Sequence, residues 1–318
     1  MRYLLNKSTD PYFNMALDEF CLENIVSDEP YFYLWRNRPS VIIGLNQNAY
    51  SEVNLRYLED HRINLVRRVT GGGAVYHDLQ NLNYTIIGPA GLTPQPMVDA
   101  LLRLGAPAEL TGRNDIFVEG RKVSGYARRV SKEQEIIHGT LMYDVDLETL
   151  TKVLDTPGSK MQAKGIGSVR SRVANLKDYL PGFKSLDEVQ AALQEILSDG
   201  DGQMELSEYQ LSEVQKMASE KFSTWDFIYG RSRQTDLLRK AKLPCGTVEV
   251  AVSLDHGLIS TINFTGDFLF DNPPEELAAK LIGCRFERDA IASVLGGTDV
   301  ATYFRDTSAE DILKLITN

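Results

Sequence analysis

The densest chemical signal in this 318-residue chain is Arg67-Arg68-Val69-Thr70-Gly71-Gly72-Gly73-Ala74-Val75-Tyr76-His77-Asp78. Three consecutive glycines remove every Cβ from the loop, so main-chain N–H groups can approach a ligand closely. Such amides form anion-binding nests. Two arginines at the entry add fixed charge and forked donors suited to phosphate. These residue types point to a phosphate or carboxylate site; the alternative is a tight β-turn flanked by surface arginines. Neither a Walker loop nor a G-x-G-x-x-G dinucleotide fingerprint is present.

Three further segments carry chemistry. Gly112-Arg113-Asn114-Asp115 is followed by Arg121-Lys122-Val123-Ser124-Gly125. A lysine among small residues in a strand can neutralise a nucleotide phosphate and a carboxylate as they react, although strand lysines are commonly solvated. Asn114 and Asp115 suit a metal, a ribose or an Asx turn. Ile137-His138-Gly139-Thr140-Leu141 holds a lone histidine, a type more often structural than catalytic. Lys164-Gly165-Ile166-Gly167-Ser168-Val169-Arg170-Ser171-Arg172-Val173 reads as a second anion-contacting loop or a basic surface loop.

The elements that would position these groups follow from pattern and punctuation. Asp10 caps a helix whose first position suits Pro11, with Phe13, Leu17, Phe20 and Ile25 on one face. Strands are expected at 31–36, 40–45, 63–68, 74–77, 82–87, 115–118 and 122–123, and helices at 97–104, 147–154, 186–197 and 206–222. The charged run 231–242 is broken by Pro244-Cys245-Gly246. A hairpin follows, 247–254 and 258–264 around Asp255-His256-Gly257, then helices at 274–282 and 308–316. The expected division is a catalytic domain over 1–242 and an accessory α+β domain over 243–318.

Bulk properties narrow the class. Hydrophobic residues make up 43% and charged residues 25% of the chain, values of a globular protein. A net charge of −10 disfavours a broad nucleic-acid surface. Cys21, Cys245 and Cys284 form no zinc or redox spacing and read as reduced cytoplasmic thiols. No apolar run is long enough to span a membrane, and the N-terminus lacks the apolar core of a signal peptide. A monomeric cytoplasmic protein is the expectation.

The segments RRVTGGGAVYHD, GRNDIFVEGRKVSG, HGTLM and AKGIGSVRSRVANL, in this order, resemble the lipoate–protein ligase family over about residues 67–176. Weaker likeness covers the N-terminal helix, YLWRNRPSVIIGLNQN and Trp225-Asp226-Phe227. The resemblance implies an α+β fold like the biotin-ligase and class II synthetase catalytic domain, with mixed, mainly antiparallel sheets and a small accessory domain. It implies conversion of lipoate and ATP, with Mg²⁺, to lipoyl-AMP. The lipoyl group then passes to a lysine of carrier domains in 2-oxoacid dehydrogenases or glycine-cleavage H protein. By motif position, Arg68 would contact ATP or the adenylate, and Gly73, Ala74, Val75 and Tyr76 would line the nucleotide and acyl site. Lys122 would bridge the lipoate carboxyl and the α-phosphate. Asn114 and Asp115 would sit near nucleotide and metal, with Mg²⁺ assigned to Asp115. His138 and Gly139 would shape the acyl pocket, supported by Thr70, Gly71, Gly72, His77, Ser124 and Gly125. The basic residues Arg121, Arg128, Arg129 and Lys132 could steer an acidic carrier. Rival readings are an octanoyltransferase of the same superfamily, which needs an acyl-carrying cysteine, and a non-catalytic lipoyl-binding or carrier-binding homologue. None of the three cysteines lies between residues 22 and 244.

Overall fold

The structure, a computed structural model, describes residues 1–112, 114–154, 172–198, 200, 202–229, 237–255, 258–286 and 288–317. Residues 164–171 of the expected second anion loop lie outside them, as do Arg113, most of the charged run before Leu237, and the hairpin turn at His256-Gly257.

The strands of the N-terminal unit are β1 (Arg2–Leu4), β2 (Tyr31–Trp35), β3 (Ser40–Ile43), β4 (Asn64–Arg67), β5 (Val75–His77), β6 (Asn81–Pro89), β7 (Ala108–Thr111), β8 (Asp115–Val118), β9 (Arg121–Ser131), β10 (Gln134–Met142) and β11 (Gln203–Met204). Eight of them form one sheet in the order β11-β1-β2-β6-β10-β9-β8-β7, while β4-β3-β5 form a small second sheet. Among the described strands, β11/β1, β1/β2 and β3/β4 pair in parallel and the other pairs are antiparallel. The expected mixed, mainly antiparallel α+β architecture is therefore the observed one.

The helix Pro11–Asn24 lies between the two sheets. The Asp10 carboxylate accepts the N–H groups of Tyr12 and Phe13, fixing the start where the sequence places it. Its burial is not confined to one face, since Asn14 through Leu22 are all buried. The core it joins takes Tyr31 and Tyr33 from the large sheet and Ile42 and Val66 from the small one, so no side is left for solvent. On the other face of the large sheet, the helices Gln95–Leu104 and Leu186–Ser198 share a core with Phe32, Leu34, Tyr84 and Ile116.

Strand β9 runs well beyond the expected Lys122–Val123, and β10 was not expected at all. Eight of the nine residues of β10 are buried, so the alternation that marks a half-exposed strand is missing. The expected helix 206–222 is an α-helix only over Glu208–Met217 and continues as a π-turn over Ala218–Phe222.

The C-terminal unit is the antiparallel sheet β12 (Leu237–Leu243), β13 (Gly246–Asp255) and β14 (Leu258–Gly266), covered by the helices Pro274–Leu281, Arg288–Gly296 and Ala309–Thr317. A division after residue 242 cuts through β12, which pairs with β13 from Leu237 onward. We place the start of the accessory unit at or before Leu237. On this edge strand Leu238, Lys240 and Lys242 face solvent, which gives the run the look of a charged linker in the sequence.

Gly139 on β10 lies against the ring of Tyr84 on β6, where a Cβ would come within 2.6 Å of ring atoms. Gly139→Ala should therefore destabilise the fold by about 1–3 kcal/mol through overpacking. A urea midpoint equal to that of the parent would contradict this.

Candidate functional site

A cavity of about 130 Å³ opens between the large sheet and the loop that joins β4 to β5. Of the residues singled out from sequence, Arg68, Gly72, Gly73, Ala74, Val75, His77, Asn114, Lys122, Gly125, His138 and Gly139 line it. Thr70, Gly71, Tyr76, Asp115 and Ser124 do not. Tyr76 points the other way because side chains alternate along β5. Val75 and His77 turn to the cavity, and Tyr76 packs with Val41, Leu65 and Met142.

Lys122 owes its direction to an irregularity. The β8/β9 register shifts at Ile116/Phe117, so Phe117 faces Lys122 while Ile116 faces Ser124. Such a bulge re-aims side chains, and here it brings Lys122 to the cavity while Ser124 is fully buried elsewhere. Lys122 N–H donates to the Arg172 carbonyl and the Lys122 carbonyl accepts from Ala174, pinning the strand. Its ammonium lies 2.7 Å from Asp115 Oδ1 with both side chains partly exposed. A pair of that kind is worth little, about 0–1 kcal/mol, so an incoming anion can compete for Lys122. Gly125 leaves the room, since a Cβ there would sit 3.0 Å from Nζ.

The two arginines are not surface charges. Arg67 is fully buried and donates to the carbonyls of Gly44, Leu45, Gln47, Phe227 and Ile228. It is structural, contrary to its expected part in anion binding. Arg68 borders the cavity yet is 6% exposed, and its guanidinium bonds Thr70 Oγ1 and the carbonyls of Ile42, Gly71 and Gly73. Burial lowers its pKa to about 10, with Asp267 opposing the shift, so it stays charged at neutral pH.

The glycine loop is also engaged. Gly72 adopts φ +93° and donates its N–H to the Phe268 carbonyl of the accessory unit at 3.2 Å. A Cβ on Gly71 would lie 2.4 Å from that same oxygen. Two of the glycines thus let another main chain approach, as well as leaving Gly72 and Gly73 open to the cavity.

Deeper in the cavity, His138 Nδ1 lies 2.6 Å from Asp18 Oδ2, and its Nε2 lies 2.7 Å from Thr70 Oγ1. Asp18 also accepts from Tyr33 and Thr85. Asp18, Met15, Trp35, Ile42, Asn83 and Thr140 were not recognised from sequence. Asp18 had a signal, because Asn14 and Asp18 stand one helical turn apart inside an otherwise apolar stretch. His77, beside Trp35, has its pKa lowered to about 3 by burial, then by Arg68 and His138.

The basic residues expected to steer a carrier are largely offset. Arg128 pairs with Glu135, Arg129 and Lys132 with Glu23, and Arg121 contacts the Tyr179 hydroxyl. Among the described residues no cluster of three or more His, Cys, Asp or Glu could hold a metal ion, and no helix is long and apolar enough to cross a membrane.

The structure thus brings a lysine and a glycine loop to one cavity on a mainly antiparallel sheet. Residues 10–198 match the family described as the lipoyl protein ligase A/B catalytic domain, and residues 232–316 match the bacterial lipoate protein ligase C-terminus. The lipoate-protein ligase LplJ of Bacillus subtilis is 36% identical over 320 residues, 96% of this chain and 97% of that one. The chain therefore belongs to the lipoate–protein ligase family and is an enzyme of that class. Among solved structures, LipL1 of P. falciparum superposes with a TM-score of 0.82 at 23% identity, covering 99% and 98% of the two chains. The ligase component of the bi-partite lipoate protein ligase of Thermoplasma acidophilum, solved in a study that includes its E2 lipoyl domain, gives 0.65 at 32% identity, covering 73% and 97%. A lipoate-protein ligase A bound with ATP gives 0.63 at 30% identity, covering 72% and 98%.

The depressed His77 pKa sets a pH dependence. The unfolded ring takes up a proton near its ordinary value of 6.5, whereas the folded ring resists until about 3. The stability is fully present above 6.5 and is lost as pH falls through that window. His77→Phe should show a shallower loss of unfolding free energy between pH 6.5 and 4 than the parent. Equal slopes in urea titrations would refute the buried neutral ring.

Proposed function

We propose that this chain activates lipoate with ATP and transfers the lipoyl group to a lysine of a carrier lipoyl domain. The observation that carries the reading is Lys122, whose ammonium makes a partly exposed pair with Asp115 and lines the same cavity as Trp35 and Ile42. The family membership and the ATP-bound and lipoyl-domain-associated relatives support it.

The first step joins two anions. A lipoate carboxylate oxygen bonds to the α-phosphorus and the bond to pyrophosphate breaks, giving lipoyl-AMP. Lys122, leaving Asp115, sits between carboxylate and α-phosphate and offsets their repulsion in a site partly closed to water. Arg68 contributes charge from behind the glycine loop. The acyl tail enters the slot beside Trp35 and His138, where burial of its methylenes contributes roughly 4–6 kcal/mol at about 0.8 per CH₂. In the second step the carrier amine attacks the acyl carbon, AMP leaves, and the nitrogen loses a proton as the amide forms.

Mg²⁺ needs only one or two protein carboxylates beside nucleotide phosphates. Asp115, freed when Lys122 turns to substrate, fits that demand, and Mg²⁺ there would neutralise phosphate charge. The present cavity, about 130 Å³, is below the roughly 300–1,000 Å³ of small-molecule sites. Nucleotide entry therefore entails displacement of the Asp267–Phe270 segment from the glycine loop, a shift of the accessory unit between steps.

The transferase reading fails on its nucleophile. Cys21 is fully buried with its thiol pKa raised well above the ordinary value, chiefly by burial, and it does not line the cavity. Cys245 and Cys284 belong to the accessory unit. Carriers of 2-oxoacid dehydrogenases and glycine-cleavage H protein are the proposed acceptors, with the enzyme a cytoplasmic monomer, a setting that suits its three widely spaced cysteines.

Lys122→Ala should lower lipoate-dependent ATP–pyrophosphate exchange by about 10²–10³-fold with the thermal midpoint unchanged. Normal exchange by that variant would remove Lys122 from the reaction. The parent should also adenylate octanoate, about 10–200-fold less efficiently than lipoate, because apolar differences of this size discriminate weakly. Absence of octanoyl-AMP at millimolar octanoate would be the contrary result.

A further inference from the structure

Resting on the proposed lipoate chemistry, we propose that His77 Nε2–H is the donor that recognises the sulfur of the dithiolane ring and so sets the preference for lipoate over sulfur-free acids.

The proton on Nε2 follows from a chain of amides. Asn14 Nδ2 faces the carbonyl oxygens of Ser8 and Arg36, each at 3.1 Å, so it is the nitrogen. It also donates to Asn37 Oδ1 at 2.8 Å, which fixes the Asn37 amide. Asn37 Nδ2 must then donate to His77 Nδ1 at 3.1 Å. With Nδ1 an acceptor, the neutral ring carries its hydrogen on Nε2. Burial keeps the ring neutral at physiological pH.

That hydrogen has no partner. His77 is 3% exposed, and of the buried unpartnered side-chain atoms among the described residues, Nε2 is the one that belongs to a residue lining this cavity. A buried donor left unpaired costs about 1–3 kcal/mol, a penalty a ligand acceptor would relieve. The neighbouring polar groups are already used. Trp35 Nε1 donates to Thr85 at 2.9 Å, Asn83 Oδ1 accepts from Asn81 at 2.9 Å, and both His138 nitrogens are bonded.

The position matches the far end of the acyl chain. Lys122 is on β9 and Trp35 on β2, three strands away across β10 and β6. At about 4.8 Å per strand that is roughly 14 Å. His77 packs edge-on to Trp35, with ring centroids 6.0 Å apart. An acid whose carboxylate meets Lys122 extends its tail towards this pair. Of the groups lipoate carries there, only sulfur accepts a hydrogen bond, and it does so weakly.

The test compares lipoate with 5-cyclopentylpentanoate, which keeps a five-membered ring but lacks sulfur. Calorimetric Kd values are measured without ATP, and pyrophosphate exchange is measured in parallel. The parent enzyme should bind lipoate about 3–10-fold more tightly than the carbocycle, the range of one neutral hydrogen bond. In His77→Phe the ratio should fall below about twofold, with His77→Gln, which keeps an N–H, in between. Equal Kd values for the two acids on the parent enzyme overturn the assignment without recourse to any variant. A ratio preserved in His77→Phe overturns it too. Lipoate preference without pyrophosphate exchange would defeat the proposed reaction and leave the His77 assignment standing. No lipoate binding at all would defeat both.

Discussion

Two adjacent guanidinium groups are buried at the end of β4 with their hydrogen-bond donors turned to main-chain carbonyls, and much of the site is built on that arrangement. Arg67 gathers the 44–47 loop and the Phe227–Ile228 turn; Arg68 gathers Ile42 and the glycine loop. Burying such charges is costly unless each is fully hydrogen-bonded, and bonds from charged donors return about 1.5–3 kcal/mol each. The loops thereby have few alternative conformations. Removing either guanidinium would leave several carbonyls unpaired in the interior.

The same loops carry the accessory unit. Asn46 accepts from Gly266 N–H, Leu45 packs against the accessory core, and Gly72 donates to Phe268. The glycine loop receives a neighbouring main chain here, and under the proposed function it would also receive a ligand. Both uses exclude a Cβ, so the run of glycines does not by itself say which is meant.

What the sequence made legible were features with a local cause. The Asp10 cap, the hairpin of β13 and β14 and the position of Lys122 on a strand follow from residues within a few places of each other. What it hid depended on distant contacts. Arg67 looked like a phosphate ligand because its five carbonyl partners come from residues 20–23 places before it and about 160 after it. Ser124 was expected at the site by motif position, and beside the register shift at Ile116/Phe117 it is fully buried and does not line the cavity. Strand β10 was silent because both of its faces are covered.

The buried polar residues of the first helix show how a site can be specified at a distance. Asn14 and Asp18 each spend burial on hydrogen bonds that orient another side chain, Asn14 through Asn37 to His77 and Asp18 directly to His138. In a low-dielectric interior an unmatched donor or acceptor is expensive, so each link leaves the next ring with one favoured hydrogen arrangement. An apolar helix would leave the buried partners of Asn14 and Asp18 unmatched. It would remove the partners that fix Nδ1 of each histidine, through Asn37 for His77 and directly for His138.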